Sequence, residues 1–220
     1  MELTQLIEMM GKGVTETLFM IFWSTFFAYL IGTPLGVILI VTDKDGIKPC
    51  KPVHDILGFL INILRSVPFI ILLFLMIPVT QAMVKTVVGS IAIIPPLTAS
   101  AAPYIARMIE SSLKEVNKGV IEAAKSMGAS TWQIIYKVLL PEARPSLLVG
   151  AAIVMTTILG YTAMAGMVGG GGLGAIAANY GYYRYELGIM VIATIILILI
   201  TQIIQELWMK AANASDKRKR

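Results

Sequence analysis

Long apolar segments without charged residues alternate with shorter polar segments along the whole chain. A helix needs about 20 apolar residues to cross a hydrocarbon layer of about 30 Å. Five segments have this character, and they cover residues 17–42, 56–78, 86–106, 147–167 and 187–207. The second is the least regular, because it contains Arg65 and Pro68. The pattern predicts an all-α integral membrane helix bundle with five spans, preceded by an N-terminal segment 1–16 and followed by a tail 210–220.

Composition and charge agree with a membrane protein and also indicate its orientation. Of the 220 residues, 57% are hydrophobic and 14% charged, well away from the average of soluble domains. Segments 43–55, 107–144 and the tail from Lys210 share one side of the membrane and hold 3, 6 and 5 basic residues. The other side has Lys12, Lys85 and Arg184. Since cytoplasmic loops carry the excess of Lys and Arg, we expect the N-terminus outside and the loop 107–146 and the tail in the cytosol.

The cytosolic loop 107–146 contains the pattern of two short helices. Between Gly119 and Met127, apolar residues cover one helix face and Glu122 and Lys125 lie on another. Gly128 suits the left-handed position that ends a helix. Small side chains at Ala123 and Ala124 would let a partner surface approach the backbone closely. We therefore predict that this loop binds a cytosolic partner.

The second of these helices has its own start and stop signals. Ser130 to Gln133 has the form of a capping box, and Pro141 is expected to end the helix that follows. A helix pair resting on lipid is the alternative, but it would not require this fixed order of Glu, Ala-Ala, Gly and Leu-x-Pro.

The predicted spans contain no obvious means of coupling transport to energy. Apart from Glu206 at the very end of the last one, no Asp, Glu or His lies within them, although proton-coupled carriers place such groups on the translocation path. The chain has no Walker A sequence. Its Gly169 to Gly174 run is interpreted as a flexible external turn, because it does not follow a strand. Any driving force is therefore expected from a partner.

The cysteine, the histidine and the two terminal segments are interpreted as structural features, with no chemical role. Cys50 is the one cysteine and is expected to stay reduced in a cytosolic loop. His54 is read as a solvated loop residue, and no metal site is predicted. Leu3, Leu6, Ile7 and Met10 follow helical spacing; this favours either a short amphipathic helix at the outer interface or a frayed terminus. The tail from Lys217 to Arg220 is expected to fix orientation and contact anionic lipid.

The loop carries a family resemblance. Glu122 to Pro141 resembles the signature Glu-Ala-Ala-x-x-x-Gly-x9-Ile-x-Leu-Pro of permease subunits of binding-protein-dependent ABC importers, with Val138 in place of Ile. Segments 65–73, 101–108 and 160–174 look like the methionine-import permeases, so the likeness covers nearly the whole chain.

The resemblance implies a type I ABC importer permease fold in the bacterial inner membrane, with no enzymatic activity and no cofactor of its own. Two identical permeases would form a pathway for D- and L-methionine. Two cytosolic P-loop ATPases would bind ATP and Mg, and an external lipoprotein would deliver the substrate. The residues implied in coupling to the ATPase are Glu122, Ala123, Ala124, Lys125, Gly128, Leu140 and Pro141. Met164 is implied as the pore gate, whereas the residues alone would favour an ordinary core methionine.

Several alternatives stay open at this stage. Arg65 braces the pathway or pairs with helix-end carbonyls, or else it extends toward the cytosolic interface with Pro68 kinking the helix above it. Arg65, Pro68 and Tyr161 are therefore candidates for a pathway or a structural role. The cargo could be another amino acid or small solute. A secondary transporter or channel is the remaining alternative, and it would need a titratable or ion-coordinating pathway.

Overall fold

The computed structural model describes residues 3–216, and regular structure within this range is helical. Two π-helical segments, Ile135–Leu139 and Ala177–Tyr182, interrupt the α-helices. The α-helices are α1 (Leu3–Thr42), α2 (Lys51–Ser66), α3 (Phe69–Leu75), α4 (Ile77–Val84), α5 (Ser90–Lys114), α6 (Lys118–Ser126), α7 (Thr131–Ile134), α8 (Leu140–Glu142), α9 (Arg144–Gly166), α10 (Gly172–Ile176) and α11 (Leu187–Ser215). The basic tail 217–220 lies outside the described residues, so its predicted lipid contact stays a prediction.

Helices α1 and α5 form the most extensive pair in the fold. Gly32 and Gly36, one helical turn apart, face α5 along α1. A Cβ atom at Gly32 would lie 2.6 Å from the carbonyl oxygen of Ala102, and one at Gly36 would lie 2.6 Å from that of Ala106. Small residues spaced in this way allow two helix backbones to touch. The α1–α5 contact is therefore a backbone-to-backbone contact.

The N-terminal segment differs from both expectations for residues 1–16. From Leu3 onward it is the first part of the 40-residue helix α1, neither a separate interfacial helix nor a frayed end. The helix continues because α10 covers this part of it. Met10 is buried together with Leu173 and Ile176, and a Cβ at Gly13 would meet the Ile176 side chain. Tertiary packing thus extends α1 by about four turns beyond the predicted span.

The second predicted span is broken into two helices. The chain leaves α2 at Ser66 and enters α3 at Phe69, and the two axes differ by 101°. Val67 is extended, with φ −80° and ψ 121°, as expected before a proline. Pro68 is the residue that precedes α3. The disruption expected at Pro68 is therefore a full break, in which the helix stops and restarts in a new direction, and whether α2 and α3 form one span stays a prediction.

The number of spans stays a prediction. Three described helices, α1, α9 and α11, are long and apolar enough to cross a membrane, and α2 with α3 would make a fourth if taken together. Helix α5 begins four residues later than the predicted span 86–106 and continues eight residues further. It contains Pro95, Pro96 and Pro103.

The glycine-rich segment before α10 is held in place by α1. The backbone N–H of Gly172 donates to Glu16 Oε2 at 2.7 Å, and that of Leu173 donates to Thr17 Oγ1 at 3.0 Å. On its other side, Gly89 N–H donates to the Gly169 carbonyl at 2.8 Å. The prediction of a flexible turn is therefore wrong: side chains 156 residues away in sequence satisfy its backbone donors.

Candidate functional site

Residues 117–142, called the two-helix loop below, begin with α6. The side chain of Asn117 accepts a hydrogen bond from the N–H of Gly119 at 2.8 Å, which caps the helix. At the other end, Gly128 has φ +77°. Its N–H bonds to the Lys125 carbonyl at 2.9 Å, and the N–H of Ala129 bonds to the Ala124 carbonyl at 3.1 Å. These two bonds define a Schellman motif, so the predicted role of Gly128 as the helix terminator is confirmed.

The second half of the loop begins as predicted and ends differently. Gln133 N–H donates to Ser130 Oγ at 3.3 Å, and Ser130 N–H donates to Gln133 Oε1 at 2.7 Å; this is the predicted capping box. Pro141 was expected to end the helix, but it lies within α8. The turn before it is widened, since Leu140 N–H bonds to the Ile135 carbonyl five residues back. A wider turn makes room for a ring that lacks an N–H and would clash in a regular helix.

The two faces of the two-helix loop are divided between the protein core and solvent. Ala124, Ile134 and Leu139 are each at most 4% exposed and belong to the main apolar core. Leu140 is half-buried against the same core. Ala124 is therefore unavailable to a partner surface, contrary to the prediction for the Ala123–Ala124 pair, and Ala123 alone is exposed.

The solvent face of the loop carries large apolar side chains that the sequence analysis did not single out. Met127 is 81% exposed, Trp132 78% and Tyr136 75%. Together with Val120 they make an exposed apolar surface, called the tip patch below. Glu122, Lys125 and Pro141 are exposed on the same loop. Large exposed apolar groups rimmed by polar ones are typical of interaction sites.

An ion-pair cluster fastens the base of the two-helix loop to the rest of the bundle. Lys114 Nζ lies 2.9 Å from Asp43 Oδ2 and 2.8 Å from Glu110 Oε1. Arg107 Nη1 donates to Glu110 Oε2 at 2.7 Å, and Lys118 Nζ lies 3.1 Å from Asp45 Oδ2. The hydrogen bond from Lys114 holds the pKa of Asp43 below its usual value. The Lys118–Asp45 pair joins the loop to the segment that follows α1, and the Lys114–Asp43 pair joins that segment to α5.

One prediction about a titratable group needs correction at this cluster. Helix α5 extends past the predicted span 86–106, and its added part carries Glu110, which is 4% exposed. His54 is half-buried in α2, with Nδ1 3.1 Å from the Leu39 carbonyl oxygen, and is no solvated loop residue. Ligand atoms of Asp43, His54 and Glu110 lie within 4.8 Å of one another. Both carboxylates are already bonded to the cations described above, so their charges are compensated without a metal ion.

Helix α9 presents one exposed face that includes Met164. Ile153, Gly160, Met164 and Met167 are exposed, and their spacings of 7, 4 and 3 place them on one side of a helix. Met164 is 49% exposed within this chain, while its neighbour Ala165 is completely buried. A core-filling role does not fit this exposure. Met164 is instead displayed on a stripe that runs along α9.

Tyr161 and Arg65 make different kinds of contact. The ring of Tyr161 stacks on Phe69, with centroids 4.5 Å apart and planes 7° apart, and so joins α9 to the start of α3. Arg65 lies exposed in the last turn of α2, with its guanidinium carbon 5.7 Å from the centroid of the Tyr104 ring. Among the described residues it makes no hydrogen bond to a helix-end carbonyl, so that suggestion is not supported.

Comparison with known proteins identifies the family. Residues 32–213 match the model for binding-protein-dependent transport system inner membrane components. A probable D-methionine transport system permease protein MetI of Vibrio cholerae is 48% identical over 203 residues, or 92% of this chain and 90% of the relative. The methionine import system permease protein MetP of Bacillus subtilis is 42% identical over 181 residues, or 82% of each chain.

A solved structure agrees with these relatives. A chain of the MetNI methionine ABC transporter, in a study of its inward facing conformations, superposes with a TM-score of 0.96 at 43% identity and covers 99% of this chain and 100% of that one. The structure therefore has the type I ABC importer permease fold. With the signature Glu122 to Pro141 in the exposed two-helix loop, this chain belongs to the family of inner membrane components of binding-protein-dependent transport systems.

Proposed function

We propose that this chain is the pathway-forming subunit of an ATP-driven importer for methionine, in its D and L forms. It performs no bond chemistry. Two copies form the pathway, two cytosolic P-loop ATPases bind ATP and Mg, and an external lipoprotein delivers the substrate. The observation that carries the proposal is the exposed tip patch on a loop otherwise anchored in the core. The names of the relatives at 42–48% identity support methionine as the cargo.

The two-helix loop is proposed as the coupling element that docks on the ATPase. Glu122, Ala123, Lys125 and Pro141 are exposed on the same loop as the tip patch, and apolar anchors with polar neighbours are the usual anatomy of a protein interface. Ala124 and Leu140 act from the inner face, where they fix the loop to the core. Because the loop is joined to the bundle by the Lys118–Asp45 pair and by its buried core residues, movement of the loop is transmitted to the helices as a rigid-body motion.

Met164 is proposed as the gate of the pathway. It is displayed on the exposed stripe of α9, and a flexible apolar thioether can seal against water and repack when the helices separate. Gly160, one helical turn away on the same exposed face, leaves room for a second helix to approach. A pair of Met164 side chains, one from each copy of the chain, would form the seal.

The test is reconstitution of the chain with its ATPase and binding protein in lipid vesicles, followed by measurement of uptake of labelled methionine. We expect saturable uptake that requires ATP, and competition by D-methionine. Equal uptake of a polar amino acid would refute the cargo and leave the mechanism intact. Uptake driven by a proton gradient without any ATPase would favour a secondary transporter.

Coupling is tested in the same vesicles with Glu122→Lys and Gly128→Trp. Both are expected to lower uptake by at least about tenfold with the chain still folded, because one reverses a charge on the docking loop and the other places a bulky ring on its solvent-facing surface. Glu206→Lys is the control, since Glu206 is an exposed carboxylate on α11, away from this loop. Full uptake by both loop variants would rule out the coupling role.

A further inference from the structure

We propose that a cavity between α2, α5 and α9 binds the carboxylate group of an amino-acid substrate through Arg65, on the cytosolic side of Met164. The inference rests on the proposed transport function and adds a substrate-contact site to it. It concerns the chemistry of an α-amino acid with an apolar side chain, for which the cavity has a guanidinium (Arg65), a carboxylate (Glu115) that suits the α-ammonium group, and an apolar region.

The cavity has a volume of about 320 Å³ and opens to the exterior of the chain. This is near the lower end of the range for small-molecule sites, and larger than a single amino acid requires. The residues that matter for the proposal are Arg65, Tyr104, Met108, Ser111, Gly150 and Ile153. A solute within it would contact three helices at once.

Arg65 is the cation in this cavity that is free to bind a ligand. Within the described part of the chain its one polar contact is the Tyr104 ring. Arg107 also lines the cavity, but its Nη atoms already donate to Glu110, Gly58 and Asn62. A guanidinium stacked on an aromatic ring keeps its N–H edge available, and that edge matches a carboxylate in a bidentate geometry. The Tyr104 ring thus orients Arg65 without satisfying its donors.

The rest of the cavity suits an apolar side chain. Met108 and Ile153 face it from α5 and α9, and Gly150 lets Met108 lie against the α9 backbone, since a Cβ at Gly150 would overlap the Met108 sulfur. Thioether and aliphatic groups pack favourably and without strict directionality. A methionine could therefore place its carboxylate on Arg65 and its side chain against Met108 and Ile153.

The position of the cavity fits a step in transport. Ile153 lies on the same face of α9 as Met164 and eleven residues nearer the start of the helix, a rise of about 16 Å. A substrate that has passed Met164 would reach this site next. One strong contact in a half-open cavity gives weak binding, and a transport site must bind weakly enough to release its solute.

The test measures binding directly, in the assembled permease and ATPase without nucleotide. Cys50 is the one native cysteine, so Ile153→Cys in a Cys50→Ser background gives a single thiol in the cavity. We expect L-methionine to slow alkylation of this thiol by a polar maleimide. Methioninamide, which lacks the carboxylate, should not slow it. Adding Arg65→Gln should raise the half-protecting methionine concentration by about tenfold or more, since a charge-assisted bidentate contact is lost, and Arg65→Lys should have a smaller effect.

Two controls are matched to these changes. Arg184 also lies over a tyrosine, 4.5 Å from the Tyr180 ring, but outside this cavity, so Arg184→Gln should leave protection unchanged. Tyr185→Cys, on an exposed position just before α11, should be alkylated at the same rate with and without methionine. Protection by methioninamide equal to that by methionine would overturn the role of Arg65, and absence of any protection would overturn the site. Vesicles that still import methionine would then show that the proposed function survives.

Discussion

Gly128 joins the two helices of the two-helix loop in a backbone conformation that glycine adopts without strain. Its φ is +77°, and a Cβ built on it meets no atom within 4 Å. Gly128→Ala should therefore lower the free energy of unfolding by about 1 kcal/mol, because alanine is strained in a left-handed conformation. A loss of this size lowers the Tm of a chain of this length by roughly 2–4 °C. Thermal unfolding in detergent measures the shift. Gly188→Ala is the control, because Gly188 is also open but helical; an equal fall in both variants would contradict the explanation.

Glu110 is the residue on which the ion-pair cluster depends. It is 4% exposed and accepts from Arg107 and Lys114, so Glu110→Gln leaves two partly buried cations short of a partner. We expect the free energy of unfolding to fall by about 3 kcal/mol, as it does when other buried ion pairs are broken, and a lower Tm would show this loss. Glu206→Gln removes the exposed pair with Lys210 and should leave the Tm unchanged. Similar effects in both variants would mean that burial does not set the strength of the cluster.

Residues whose roles depend on their immediate neighbours could be predicted from the sequence. The Schellman turn at Gly128 and the Ser130–Gln133 capping box are local patterns, and both are confirmed. The burial of Ala124 and the internal position of Pro141 could not be predicted. Ala124 is buried by residues that are distant in the sequence. The position of Pro141 inside a helix depends on a widened turn, and the residue spacing does not predict that turn.

At the scale of helices, the α1–α5 contact depends on the absence of side chains at Gly32 and Gly36. A Cβ at Gly36 would lie 2.6 Å from the Ala106 carbonyl oxygen and 2.8 Å from Ile109 Cβ, and neither atom can rotate away. Gly36→Ala should cost about 3 kcal/mol by forcing the helices apart, a fall in Tm of roughly 6–12 °C. Gly11→Ala in the same helix meets nothing within 4 Å and should be neutral or slightly stabilising. A neutral Gly36→Ala would show that the helices are not in backbone contact.

Hydropathy predicted where helices occur better than where they end. The apolar segments coincide with α1, α5, α9 and α11, because burial and lipid contact both select apolar residues. Hydropathy did not predict the start of α1 at Leu3 or the 101° break between α2 and α3. The start of α1 depends on the packing of α10 against it. Pro68 in the sequence indicates that the helix is disrupted between α2 and α3, but the direction of α3 is set by contacts such as the stacking of Phe69 on Tyr161.

At the scale of the whole molecule, exposed apolar surface indicates where lipid and partner subunits lie. Phe22, Phe26 and Leu30 are at least half exposed along α1, and Ile195 and Leu199 are similarly exposed along α11. A soluble protein would not display such surfaces, and a bilayer or a second copy of the chain covers them. Residues 169–172 lie at one end of the bundle against the first half of α1, while the two-helix loop lies beside the end of α1 through the Asp45 to Lys118 pair. The molecule therefore has two distinct ends.

The basic residues predict which of these ends faces the cytosol, and single cysteines can verify it. In a Cys50→Ser background, Tyr185→Cys and Trp132→Cys place thiols at positions 86% and 78% exposed, at the two ends of the bundle. With the N-terminus outside, an impermeant maleimide added to intact spheroplasts should label the cysteine at 185 within minutes. In cells without the partner ATPase, where the tip patch is uncovered, the cysteine at 132 should react after permeabilisation only, because Lys and Arg in loops 43–55 and 107–144 retain that end in the cytosol. The reverse labelling pattern would overturn the orientation, and with it the docking of the tip patch on a cytosolic ATPase.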